Sequence, residues 1–94
     1  MCTYQTANVP VSGSGKGASG WFPLTAATVY LDHPVDAPAE HTLNIDFRNP
    51  DRGAARVAVE LDPAAARKVA EAILAMLDAA PPGLVEPAAP SVAD

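Results

Sequence analysis

Residues 41–48 read His-Thr-Leu-Asn-Ile-Asp-Phe-Arg. The odd positions, His41, Leu43, Ile45 and Phe47, are mainly apolar. The even positions, Thr42, Asn44, Asp46 and Arg48, are polar. Such strict alternation matches the two-residue period of a β-strand with one face turned to a core and the other to water. A helix would scatter the same residues around its circumference, so this segment commits the chain to a sheet. Two further stretches keep the same period. In residues 26–33, Ala27, Val29, Leu31 and His33 share one face, and Thr28, Tyr30 and Asp32 share the other. In residues 55–61, Val57, Val59 and Leu61 point inward, with Arg56 and Glu60 outward. Residues 2–11 carry Thr3, Tyr4, Thr6, Val9 and Val11, which suit an irregular first strand. Pro10 offers no ladder donor, so that strand is expected at an edge or bent there.

The period changes once. Asp62-Pro63 pairs a favoured helix cap with a favoured first helical residue. Beyond it Ala66, Val69, Ala70, Ile73, Met76 and Leu77 recur at spacings of three and four, which predicts a helix ending near Ala79. Pro81-Pro82-Gly83 cannot continue it. Residues 12–20, Ser-Gly-Ser-Gly-Lys-Gly-Ala-Ser-Gly, read as a loop by composition, and 49–53 read as a turn. Residues 84–94 are Ala/Pro-rich and without period. The expected fold is α+β: a four-stranded antiparallel sheet with one C-terminal helix packed on one face. It forms a single ββββα domain over residues 1–80, followed by a disordered Ala/Pro-rich tail over 81–94.

A chain of 94 residues allows one small domain with a thin core. Six Lys+Arg against eleven Asp+Glu give a net charge of -5, and the basic residues are scattered. Nucleic acid and anionic membrane surfaces both require a basic face, so neither is an expected partner. No apolar run reaches the ~20 residues of a membrane span, and no secretory leader is recognisable. One cysteine forms no internal disulfide, which fits a cytoplasmic protein. One helix covers one sheet face. The other face, with Tyr30 and Thr28, is left open, and a homodimer through it is the expected assembly.

The two histidines share the parity of the apolar residues. Pairing Leu31 with Leu43 and Val29 with Ile45 sets His33 opposite His41. Opposed positions have Cβ atoms ~4.5–5.5 Å apart, close enough for two imidazoles to share a metal. Glu40, Asp32 and Asp36 flank the same end, with Glu40 the preferred carboxylate. Two histidines and a carboxylate suit Fe(II), and with Cys2 or a carboxylate they suit Zn. The alternative is a polar cap on the core.

Gly13-Ser-Gly-Lys-Gly17 fails the phosphate-loop test, because Pro10 stands where the first glycine belongs and Gly17 where Ser or Thr belongs. A mobile lid or small-anion nest with Lys16 as the charge, or a plain connection, remains. Trp21 and Phe22 beside it suit the wall of a cofactor or ligand pocket, or else a core or dimer interface. Cys2 follows Met1. Removal of Met1 would expose an amine and a thiol on one residue, a chelator or nucleophile.

Met1-Cys-Thr-Tyr4, Ser12 to Gly17, Gly20-Trp-Phe22, Asp32-His-Pro34, Glu40 to Asp46 and Val57 to Leu61 together resemble a family of small actinobacterial proteins of unknown function. The resemblance covers about residues 1–80. Some members carry labels relating them to biphenyl-diol (extradiol) dioxygenases, which implies Fe(II) and ring cleavage of a catechol. Three functions follow as expectations. One is a metal-free binding or accessory module, with its ligand or partner on the open sheet face or at the Gly-rich segment. A second is a small Fe- or Zn-dependent enzyme using His33, His41 and Glu40, with Cys2 as an extra ligand. A third is a metal-free lyase or isomerase with His41 and Asp46 or Glu40 as acid and base.

Overall fold

The structure is a computed structural model and describes residues 5–85. Its elements are β1 (Thr6–Gly17), β2 (Gly20–Asp32), β3 (Thr42–Arg48), β4 (Arg56–Leu61) and α1 (Pro63–Ala79), with one 3₁₀ turn at Pro50–Arg52 before β4. The four strands form one antiparallel sheet in the order β1-β2-β3-β4. The α+β class, the strand count and the helix therefore stand as the sequence implies. The expected β2–β3 register is also present: Leu31 faces Leu43 and Val29 faces Ile45. β4 extends the same rows, with Leu61 beside Leu43 and Val59 beside Ile45.

Residues 12–20 depart from expectation. They are not a loop. β1 runs through Gly17 and β2 begins at Gly20, so only Ala18 and Ser19 connect the strands. The physical reason lies in the glycines. A Cβ on Gly15 would sit 3.1 Å from the Leu24 side chain, and one on Gly17 would sit 3.3 Å from the Phe22 ring. Glycine at every second position strips one face of β1, and β2 side chains lie across it. The bend expected at Pro10 is present as a register shift between Pro10 and Gly13 in an edge strand. Asn49 ties β2 to the β3–β4 turn: its Nδ2 donates to the Pro23 carbonyl (3.0 Å), and its Oδ1 caps the 3₁₀ turn at Asp51 N–H.

α1 starts as its sequence dictates, with the Asp62 carboxylate accepting from the Ala65 N–H at 2.9 Å and Pro63 in the first turn. It lies on the apolar side of the sheet, but the cover is incomplete. A groove of about 600 Å³ runs between Val29, Leu31, Leu43 and Ile45 of the sheet and Ala66, Val69, Ile73 and Leu74 of the helix. No helix residue is buried. Among the described residues the buried hydrophobic set is only Phe22 and Ala27. The expected tail at 81–94 and the start of the expected first strand fall largely outside the described residues. Of that tail, residues 81–85 form a turn, with the Leu84 N–H on the Pro81 carbonyl.

Candidate functional site

The face opposite the helix carries the even positions of β2, β3 and β4, and side chains bond across all four strands. Arg48 donates to the Thr28 hydroxyl at 2.8 Å, and that hydroxyl donates to Asn8 Oδ1 at 3.0 Å, linking β3, β2 and β1. Asp46 on β3 is a second hub. It accepts from the Tyr30 hydroxyl of β2 (3.4 Å) and pairs with the Arg56 guanidinium of β4 (2.7 Å). Thr42 and Asn44, expected to face water, are buried, and the Thr42 hydroxyl donates to Asn44 Oδ1.

The connection from His33 to His41 folds back over this face and is fastened by Glu60. The Glu60 carboxylate accepts three backbone N–H groups, from Val35, Asp36 (3.0 Å) and Ala37 (3.0 Å). These donors favour the ionised form and hold the Glu60 carboxyl below its usual 4.5, with the Val35 bond the largest cause. Between this strap and the sheet lies a cleft of about 690 Å³. Tyr30, Asn44, Asp46 and Arg56 form its floor, and His33, Val35, Asp36 and Glu60 its rim.

The histidines meet as the register implies. Their rings stack with centroids 4.6 Å apart and planes 27° from parallel. His33 Nδ1 lies 2.9 Å from the Glu40 carbonyl oxygen, so Glu40 meets His33 through its backbone. Among the described residues no group of three His, Cys, Asp or Glu side chains is placed to hold a metal ion. The described donors thus supply two imidazoles and not the three-ligand set that Fe(II) or Zn takes. Cys2 lies outside the described residues.

At the hairpin end Lys16 pairs with Trp21 across the ladder, while Phe22 pairs with Gly15 and turns to the other face of the sheet. Trp21 is 70% exposed and Phe22 7%. The indole is open to solvent, and the phenyl ring belongs to the small core. The segment around Lys16 is extended strand, so it is not the coiled backbone that cradles an anion.

Residues 1–86 match the model of a family of unknown function, DUF6295. The chain belongs to that family. No curated protein and no solved structure matches it. For this DUF6295 chain, sequence reasoning points to the open sheet face, with Tyr30 on it and Asp46 as an acid or base, but not to Asn44, Arg56 and Glu60 beside them. Each sits at an outward position of an alternating strand, where a polar side chain ordinarily meets only water. Their available signal was shared parity on adjacent strands. Among the described residues no helix is long and apolar enough to cross a membrane.

Proposed function

We propose that the protein is a binding module whose small polar ligand sits in the cleft between the 33–41 strap and the polar sheet face. The observation that carries this reading is the cleft itself. It is a concavity of about 690 Å³ on the face where hydrogen-bonding side chains converge, roofed by a segment tethered through three backbone bonds. That size suits a small-molecule site. Asp32, Asp36, Asp46 and Glu60 line it against one guanidinium, Arg56, and the imidazole of His33. Carboxylates in excess focus a negative potential in the concavity and favour a ligand bearing an amino group. Titration of the labelled protein with putrescine, followed by amide NMR, tests this. Shifts at Ala37, Asn44 and Ala58 that disappear in Asp46→Asn support the reading. Equal response to acetate, or shifts confined to other surfaces, rejects it.

A second reading, a small Fe- or Zn-dependent enzyme of the oxygenase type built on His33 and His41 with Glu40, rests on the 4.6 Å ring stack. Metal analysis of untagged protein discriminates. Stoichiometric iron or zinc that is lost in His41→Ala supports it, and the same metal content in both proteins rejects it.

A further inference from the structure

The helix side of the sheet is unfinished. Val69, Ile73, Leu74 and Leu77 of α1 are 46%, 54%, 60% and 48% exposed, and Met76 is 75% exposed. These five side chains alone leave on the order of 500 Å² of apolar surface in water, the upper end of what monomers expose. A 17-residue helix is marginal by itself and depends on burying its apolar stripe, yet no residue of this one is buried. The sheet contributes a matching deficit, since Val29, Leu31, Leu43 and Ile45 are only half-buried and face the helix across the groove.

We infer that the groove is the interface of a homodimer in which the α1 helix of a second copy seats beside the first. Three observations select a second copy over other occupants. The groove of about 600 Å³ is lined almost wholly by aliphatic side chains, so its occupant must be apolar. The α1 stripe is an apolar helical face of this same chain that the described residues cover only in part, and a twofold axis covers it in both copies at once. The exposed helix stripe plus the half-buried sheet face approaches the ~800 Å² per partner of a standard interface. The Tyr30 and Thr28 face suits this role less well, because its side chains bond to one another across the strands and keep it polar. The dimer therefore forms back to back, on the helix side, and leaves both polar clefts outward.

Light scattering on the intact chain, with isotope-filtered NMR on a mixture of labelled and unlabelled copies, tests the inference. The expected mass is about twice the 9.6 kDa of one chain, with cross-copy contacts between Ile73 or Leu74 methyls and those of Leu43 or Ile45. Ile73→Glu is expected to weaken association at least about tenfold, while Lys68→Ala on the opposite helix side leaves it within about twofold. If Ile73→Glu fails to fold, the cross-copy contacts of the unaltered chain decide. A folded monomer at roughly 100 μM, a monomer with a small apolar molecule in the groove, or a dimer whose cross-copy contacts arise from Tyr30 and Thr28 would each overturn the inference.

Discussion

Glu60 on the outer strand β4 accepts the backbone N–H of Val35, 25 positions earlier in the chain. Two further N–H groups join the same carboxylate, so one side chain fastens a strap that carries two prolines, Pro34 and Pro38. Glu60→Gln keeps the length and half of the acceptor capacity but removes the charge. The expected outcome is faster amide exchange at Val35, Asp36 and Ala37, with little change in the β2–β3 ladder. Unchanged exchange at those amides would show that the strap is held by something else.

The same contact sets a pH dependence. The folded Glu60 carboxyl lies below its ordinary 4.5. Its stabilisation is therefore complete above that value, where the group is ionised both folded and unfolded. It is lost as pH falls through the lower folded value, because protonation removes the acceptor. Amide shifts of residues 35–37 followed downward from neutral pH are expected to stay constant until below about pH 4.5 and then move together. A transition that begins well above that range would assign strap control to a group other than Glu60.

Phe22 is one of two buried hydrophobic residues among those described, so its loss is expected to be severe. Phe22→Ala should cost about 3 kcal/mol in urea unfolding, a large share of the stability of a domain this small. Gly17→Val approaches the same ring from the other side. Its Cβ would start 3.3 Å from the Phe22 ring and 3.5 Å from the Arg56 carbonyl oxygen. Overpacking of about 1–3 kcal/mol is expected. A neutral Gly17→Val would mean that the hairpin end moves freely away from Arg56.

Asp62 caps α1 through the Ala65 N–H at 2.9 Å. Asp62→Ala should cost about 1 kcal/mol, and Asp62→Ser a few tenths. Thermal melts monitored by helix circular dichroism check this, and equal melting of the two variants would remove the cap from the account.

The parts of the fold that were legible in the sequence share one property, a side chain at every position to carry the pattern. His41 to Arg48 alternates in plain view, and the helix is bracketed by Asp62-Pro63 and Pro81-Pro82. From these the register of Leu31 with Leu43 followed, and with it the meeting of the histidines. Residues 13–17 were misread because glycine writes no hydrophobic signal. Gly13, Gly15 and Gly17 do alternate with Ser14 and Lys16, and that period-two spacing of small residues was the available clue. The strap was not legible at all. A Glu at an outward position of an edge strand looks solvated until a distant segment is folded onto it.

The rows Leu31–Leu43–Leu61 and Tyr30–Asn44–Glu60 are neighbours along the same three strands but open on opposite sides of the sheet. A slip of β3 by one residue would turn Asn44 and Asp46 toward the helix and Leu43 and Ile45 toward the strap, spoiling cleft and groove together. Correct strand pairing is thus a single checkpoint for both surfaces. A misaligned molecule would lose the cleft and the groove at once, so neither surface outlasts an error in the other.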